Sequence, residues 1–284
     1  MLDLSASLNP LAPDIAALAG DHLDRLARYP DDAERAGATA TVAEAIGVET
    51  SRLLLTNGAA EAIALVAAEH PVGWVQPPEF SLYERHLARI EPGAPRWRSN
   101  PNNPLGTLAG PDEQAAVWDE SFWAMATGSW TRGDDAAYRV GSLTKLWRCP
   151  GLRLGYVIAP DDDRARRLAA RQPAWSVSGL ALAIVGPLME RTELEAWAVG
   201  IATLRSEMAA LFRGFDVVES AANWVLVHEA GDLRRALAGR GVLVRDCASF
   251  GLPDTIRVAV PDESGLERLA AALGQATGSY HHRP

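Results

Sequence analysis

The stretch LLLTNGAAEAIALVAAEH, residues 53–70, places the strongest constraint on the fold. Residues 53–56 are predicted to form a short apolar strand, Asn57 and Gly58 a turn, and residues 59–69 a helix. A strand that enters a helix through a glycine turn presents free backbone N–H groups, and such groups bind anions. The stretch therefore predicts a strand–turn–helix unit of an α/β protein with an anion site at its turn.

The same alternation continues along the chain. VGWV and VWD are predicted as strands, the second ending at Asp119 and Glu120, and FSLYERHLARI as an amphipathic helix over residues 80–90. Alternating strands and helices favour a mostly parallel sheet. We therefore predict an α/β large domain with a mostly parallel sheet, over residues 28–162.

The pattern of predicted helices and strands changes after Pro160. Residues 164–171 and 193–213 are predicted as long helices, followed by the strands FDVVES, NWVLVHE, GVLVRD and TIRVAV alternating with helices. This pattern indicates a smaller α+β domain over residues 163–284. Residues 1–27 are interpreted as an N-terminal arm or small-domain segment.

Composition excludes several classes of partner. The chain has 284 residues and a net charge of −9, and its basic residues are scattered, so we expect no nucleic-acid partner. It has no basic leader and no run of eighteen apolar residues, so we expect a cytoplasmic protein with no membrane partner. Cys149 and Cys247 are predicted to be free thiols, and no zinc-ligand spacing is present. His281 and His282, in the closing SYHHRP, are interpreted as part of a polar tail rather than as metal ligands.

One lysine stands among 26 arginines, in SLTKLWRCPGLRLGY. Arginine can replace lysine as a charge, but only the lysine amine deprotonates and forms an imine with an aldehyde. A single surface lysine retained by chance is the alternative. Ser142 and Arg153 flank Lys145, and a hydroxyl and a guanidinium can both bind a phosphate. Together these residues match the requirements of pyridoxal 5′-phosphate.

Two further requirements of that cofactor can be sought independently. Its pyridine nitrogen needs a buried carboxylate, for which Asp119 is the candidate, and its phenolic oxygen needs a neutral donor, for which Asn103 is the candidate. Each residue also has a simpler interpretation. Asp119 could cap a helix, and the sequence NPNNP around Asn103 is typical of turns.

Five motifs occur in one order along the chain: RYPD, TNGAAE, NNPLG, DESF and SLTKLWRCPGLRLGY. In this order the chain resembles the fold-type I pyridoxal phosphate enzymes of the class I and II aminotransferase family. The branch it most resembles holds histidinol-phosphate aminotransferases and the threonine-phosphate decarboxylases of cobalamin synthesis. Phe122 stands where the aminotransferases usually have tyrosine, which favours the decarboxylases.

The resemblance implies a role for each matching residue. Lys145 would form the Schiff base, Asp119 would face the pyridine nitrogen, and Asn103 would face the phenolic oxygen. The remaining cofactor contacts would come from Gly58, Ala59, Ala60, Phe80, Ser142, Arg153 and, from the other subunit of a homodimer, Tyr29. The substrate, a small phosphorylated amino acid, would meet Asn9, Asn223, Arg245 and Arg257.

The chain is shorter than the family pattern. Only EPGAPRWRSNP separates the predicted helix at residues 80–90 from NNPLG, where we expect a strand, a helix and a strand to be missing. Only TLAGPDEQAAVW precedes DESF, too little for a full helix and strand. We therefore predict a smaller or rearranged sheet. Three functions follow as alternatives: a decarboxylase of O-phospho-L-threonine, an aminotransferase of the histidinol-phosphate type, and a noncatalytic protein that binds the cofactor.

Overall fold

A computed structural model describes residues 1–278 of the chain. The strands are β1 (Leu2–Leu4), β2 (Leu53–Asn57), β3 (Val72–Val75), β4 (Arg89–Ile90), β5 (Arg96–Ser99), β6 (Val117–Asp119), β7 (Tyr138–Gly141), β8 (Leu154–Ile158), β9 (Asp216–Val218), β10 (Trp224–His228), β11 (Val242–Asp246) and β12 (Ile256–Ala259). The helices are α1 (Ile15–Gly20), α2 (Asp32–Ile46), α3 (Gly58–Glu69), α4 (Leu82–His86), α5 (Trp123–Thr127), α6 (Leu143–Leu146), α7 (Asp162–Arg171), α8 (Gly179–Ala183), α9 (Val185–Met189), α10 (Leu194–Leu211), α11 (Gly231–Ala238) and α12 (Glu263–Gly278).

The larger sheet has seven strands in the order β2-β8-β7-β6-β5-β3-β4. Strands β3 to β7 pair in parallel, and β8 runs antiparallel to both of its neighbours. The prediction of an α/β protein with a mostly parallel sheet is confirmed. Because parallel strands end at the same edge of a sheet, the residues that follow Ser99, Asp119 and Gly141 are brought together.

The smaller sheet has five strands in the order β1-β11-β12-β10-β9. β1 pairs in parallel with β11, so the start of the chain adds an edge strand to a sheet built from its end. The division of the chain at residues 27 and 162 stays a prediction. Val177 and Ile201, beyond residue 162, pack in the core cluster that holds Leu55 of the larger sheet.

The segment between the end of α4 and NNPLG contains two strands and no helix. Both strands expected to be missing before NNPLG are present, as β4 and β5, and residues 91–95 join them without a helix. That prediction was wrong, and the sheet keeps seven strands. The predicted helix over residues 80–90 was also too long, because the backbone becomes extended at Leu87 and residues 89–90 pair with β3. Residues 100–116 contain no helix.

Tryptophan and arginine side chains pack together around strands β3, β5 and β6. The guanidinium of Arg96 lies 5.5 Å from the ring centroid of Trp74, and that of Arg132 lies 4.6 Å from the ring centroid of Trp118. Trp118 is fully buried, and its Nε1 donates a 2.8 Å hydrogen bond to Asp134. Trp118, the residue before Asp119, thus gives the guanidinium of Arg132 a large flat surface on which to pack.

Across residues 1–278, no helix combines the length and apolar character needed to cross a bilayer. The tail SYHHRP lies outside the described residues.

Candidate functional site

The site forms where β5, β6 and β7 of the larger sheet end. Asn103 follows β5, Asp119 is the last residue of β6, and Lys145 lies in the four-residue helix α6 that follows β7. Ser142 occupies the N-cap position of α6, with extended backbone, and starts the turn that carries the lysine. Parallel strand order therefore collects residues from three separate motifs at one edge.

The lone lysine is partly buried in this site. Its Nζ lies 5.9 Å from the ring centroid of Phe122. Burial, together with the nearby charges of Arg257 and Arg153, lowers the pKa of Lys145 to about 8 against the opposing effect of Asp119. Lys145 is therefore not a solvated surface lysine, and its surroundings make the amine easier to deprotonate.

Asp119 is buried and held by two donors. The hydroxyl of Tyr83 donates to its Oδ2 at 2.8 Å, and the backbone N–H of Ser121 donates to its Oδ1 at 3.0 Å. The carboxylate does not cap a helix, so that alternative is excluded. Burial raises the pKa of Asp119, and a cation placed against it would keep it ionised. The carboxylate is suited to a protonated ring nitrogen.

The turn predicted to bind an anion lies at the start of α3. Gly58 is the first residue of that helix and has a φ of 71°, a conformation that favours glycine. A Cβ placed on Gly58 would lie 2.5 Å from Nη2 of Arg153, so the absence of a side chain lets the guanidinium approach the turn. Arg153 is exposed and makes no ion pair within residues 1–278. Arg153 and the backbone N–H groups at the start of α3 are donors of the kind that bind a phosphate.

Asn103 and Phe80 are two further residues that the resemblance assigns to the cofactor. Asn103 is buried, its Oδ1 accepts a hydrogen bond from Nη1 of Arg257, and its backbone N–H donates to Ser99 Oγ at 2.7 Å. The ring of Phe80 meets the ring of Tyr83 edge-on, with centroids 5.8 Å apart. Asn103 therefore belongs to a fixed turn, and its amide nitrogen stays available as a donor.

Arg257 is buried near Lys145, and one of its hydrogen-bond donors lacks a partner among the described residues. Its guanidinium lies 4.9 Å from the ring centroid of Trp224, and its Nη2 donates to Ser5 O at 3.4 Å. Its buried Nε has no partner in the part of the chain that the structure describes. A buried arginine with an unused donor is a ready partner for a carboxylate.

Arg245 stands opposite Arg257 in the register of β11 and β12. It is exposed, lies 5.4 Å from the ring centroid of Phe250, and donates to Ser249 Oγ at 3.0 Å. It makes no ion pair among the described residues.

Asn9, Asn223 and Tyr29 are the remaining residues that the resemblance assigns to the site. Asn9 is fully buried, its Nδ2 donates to Leu146 O and its Oδ1 accepts from Leu11 N, so its side chain anchors the N-terminal segment. Asn223 is also buried and donates to Leu8 O, while its Oδ1 has no partner within residues 1–278. Tyr29 is 74% exposed and packs on Trp175, facing outward from its own chain.

Sequence reasoning missed Tyr83, Glu79 and Ser99. Tyr83 lies three residues after Phe80, a spacing that places both on one helical face, and this signal could have found it. Glu79 and Ser99 form a buried hydrogen bond between segments twenty residues apart, for which the sequence has no local signal.

The arrangement fits one kind of ligand. A phosphate is matched by the turn at Gly58 and Arg153, a protonated ring nitrogen by Asp119, and an aldehyde by the amine of Lys145. Those are the three reactive features of pyridoxal 5′-phosphate.

The sequence is similar to those of known proteins. A sequence model of the family "Aminotransferase class I and II" matches residues 97–273. The threonine-phosphate decarboxylase of Salmonella typhimurium is 29% identical over 332 aligned positions, covering 96% of this chain and 90% of the relative. Histidinol-phosphate aminotransferase 2 of Methylococcus capsulatus is also 29% identical, with 96% and 89% covered. Both alignments are longer than the chain, so these relatives carry segments that it lacks.

Solved structures show the same fold. The histidinol-phosphate aminotransferase of Clostridium acetobutylicum superposes with a TM-score of 0.82 at 22% identity, covering 98% of this chain and all of that one. The L-threonine-O-3-phosphate decarboxylase of Porphyromonas gingivalis gives 0.80 at 20% identity, with the same coverage. With the fold, the site and a family match over more than half of its length, the chain belongs to the class I and II aminotransferase family and is an enzyme that depends on pyridoxal 5′-phosphate.

Proposed function

We propose that this enzyme decarboxylates O-phospho-L-threonine and produces the aminopropanol phosphate used in cobalamin synthesis. The observation that carries the proposal is the pair Arg257 and Arg245, which face each other in register on neighbouring strands. Side chains at such positions are neighbours across a sheet. One buried and one exposed guanidinium suit a small substrate that carries a carboxylate and a phosphate together.

Each residue of the site has its own role in the proposed reaction. Bound pyridoxal phosphate supplies an electron-accepting ring that stabilises negative charge at the substrate Cα. Asp119 keeps the ring nitrogen protonated, and Asn103 donates to the phenolic oxygen. Arg257 binds the substrate carboxylate and orients it, and Arg245 binds the substrate phosphate. Lys145 delivers a proton to Cα after carbon dioxide leaves.

Phe122 supports a decarboxylase. Its ring packs edge-on against Trp224, with centroids 4.7 Å apart, and lies next to the amine of Lys145. It presents an apolar edge where a tyrosine would present a hydroxyl. Lys145 is then the proton donor at that side of the site.

We propose that the active enzyme is a homodimer with shared sites. Leu23, Leu26 and Trp175 are exposed around the outward-facing Tyr29. Exposed apolar patches of this kind mark protein interfaces. In the dimer, Tyr29 would reach the phosphate site of the other subunit.

An aminotransferase is the second candidate, because the arginine pair would equally hold the carboxylates of a keto acid. The deciding experiment incubates the purified enzyme and cofactor with carboxyl-labelled O-phospho-L-threonine and measures labelled carbon dioxide and aminopropanol phosphate. A parallel reaction contains histidinol phosphate and 2-oxoglutarate and measures glutamate. Carbon dioxide without glutamate supports the decarboxylase; glutamate without carbon dioxide overturns it. Release of neither product, with a cofactor absorption band that both substrates leave unshifted, identifies a noncatalytic binder.

A further inference from the structure

Glu79 is a buried carboxylate next to the cofactor site that the roles above do not use. It is 9% exposed and makes no ion pair within residues 1–278. Burying an unpaired carboxylate is costly unless hydrogen bonds compensate for the lost water. Its retention in the interior therefore depends on the groups that donate to it.

Four donors surround the carboxylate. Oε1 accepts from Ser99 N at 3.1 Å and from Asn102 Nδ2 at 2.9 Å. Oε2 accepts from Phe80 N at 3.1 Å and from Ser99 Oγ at 2.5 Å. One side chain thus joins the segment that carries Phe80 to the end of β5 and the turn that follows it.

The connection continues to Asn103. Ser99 Oγ donates to Glu79 and accepts the backbone N–H of Asn103 at 2.7 Å. The Nδ2 of Asn102 donates to Glu79. The Oδ1 of Asn102 accepts a hydrogen bond from the backbone N–H of Leu105, with 2.9 Å between the two atoms. Both ends of the asparagine turn are therefore fixed through Glu79.

The shortened chain explains why this support is needed. Residues 91–95 join β4 to β5 without a helix, and residues 100–116 contain none. The turn that carries Asn103 consequently has no adjoining helix on either side along the chain. Buried, fully satisfied hydrogen-bond networks make such a segment rigid.

We propose that Glu79 is a positioning residue that holds Phe80 and Asn103 where they contact the cofactor ring. This inference rests on the proposed placement of the cofactor against those two residues. Supporting groups of this kind decide whether a site keeps its productive geometry.

The charge state of Glu79 sets the conditions of the test. Burial raises the pKa of Glu79 to about 7, while the hydrogen bonds from Ser99 and Phe80 act in the opposite direction. At pH 8 the side chain is therefore mainly ionised and can accept all four hydrogen bonds.

The test measures cofactor binding and not turnover. Glu79→Gln keeps the size of the side chain but turns one oxygen into an NH₂ that faces two donors. At pH 8 we expect pyridoxal phosphate, titrated by quenching of tryptophan fluorescence, to bind roughly ten-fold more weakly.

The visible absorption of the cofactor bound to Glu79→Gln should shift in the same direction as in Asn103→Ala. Ser99→Ala, a milder change, should shift it too, and the double variant Glu79→Gln/Ser99→Ala should bind no more weakly than Glu79→Gln alone.

Glu113→Gln is the matched control. Its carboxylate lies beside the same cavity of about 370 Å³ as Glu79, but pairs with Arg96 and Arg98. It should change thermal stability and leave cofactor affinity and absorption unchanged. The proposal is overturned if Glu79→Gln, or Ser99→Ala where Glu79→Gln does not fold, binds cofactor with wild-type affinity and absorption. If Asn103→Ala itself leaves the absorption unchanged, the cofactor placement fails and the role of Glu79 fails with it, whereas the carbon dioxide assay tests the proposed reaction independently.

Discussion

The hydroxyl of Tyr83 donates a 2.8 Å hydrogen bond to Oδ2 of Asp119, across 36 residues of sequence. Burial raises the pKa of Tyr83, so the hydroxyl keeps its proton and acts as a donor. The carboxylate that we propose to face the cofactor nitrogen is therefore held by a side chain from a different strand connection.

Tyr83→Phe should weaken cofactor binding and lower the free energy of unfolding by about 1–3 kcal/mol, because a buried carboxylate loses its donor. Isothermal titration with pyridoxal phosphate and denaturant unfolding measure the two effects. Tyr138→Phe is the control, since it removes a hydroxyl that bonds His70 at 3.0 Å. Equal loss of cofactor affinity in both variants would contradict the role of Tyr83.

Lys145→Arg should abolish covalent attachment of the cofactor while keeping a positive charge, because arginine forms no imine. The assay is borohydride reduction followed by peptide mass spectrometry. Lys145 is the only lysine of the sequence, so the reduced adduct should appear on one peptide. Wild-type enzyme that binds the cofactor but gives no reduced adduct on the peptide containing Lys145 would refute the assignment.

Cofactor attachment should accelerate as pH rises through about 8. The pKa of Lys145 is lowered to about 8, so the amine is mainly protonated below that pH and neutral above it. Only the neutral amine attacks an aldehyde. Stopped-flow mixing of apoenzyme and pyridoxal phosphate between pH 6 and 10 measures the midpoint.

Arg257→Gln should move that midpoint upward, because the charge of Arg257 lowers the pKa of Lys145. Arg148→Gln is the control, since Arg148 lies three residues from the lysine but is exposed and faces Asp262 at 3.8 Å. A midpoint that moves downward in Arg257→Gln would show that the pKa argument is wrong.

Gly58→Ala should weaken cofactor binding far more than it weakens the fold. The new Cβ would meet Arg153 at the phosphate site, and φ is 71°. Gly47→Ala provides the comparison, because Gly47 has a similar φ of 78° and nothing within 4 Å of its Cβ position. Both variants should lose about 1 kcal/mol of stability from backbone strain, and only Gly58→Ala should lose cofactor affinity. Wild-type affinity in Gly58→Ala would contradict the phosphate site.

Mixing two inactive variants should restore activity if sites are shared. In a heterodimer of Lys145→Ala and Tyr29→Ala, one site has both defects and the other has neither. After dissociation and reassociation, about a quarter of the wild-type activity should return, since half of the dimers are mixed and each has one intact site. Activity that stays at the sum of the separate variants would exclude a contribution of Tyr29 across the interface.

The sequence by itself determined the class of fold and the cofactor chemistry. Lys145, Asp119 and Gly58 could be assigned because each task needs a particular residue type: an amine, a carboxylate, and a backbone without Cβ. Their positions at the ends of predicted strands followed from alternation alone. All seven strands of the larger sheet are present, and its interior strands pair their backbone groups with a neighbour on each side.

Only the tertiary structure decided which distant side chains support them. Asn103 and Arg257 are 154 residues apart and share a hydrogen bond, and Glu79 reaches Ser99 from another strand connection. The side chain of Asn9 donates to Leu146 O, 137 residues away, and so anchors the N-terminal segment. Such contacts depend on how the sheets and turns pack, and a buried polar side chain is satisfied by whichever groups the fold brings to it.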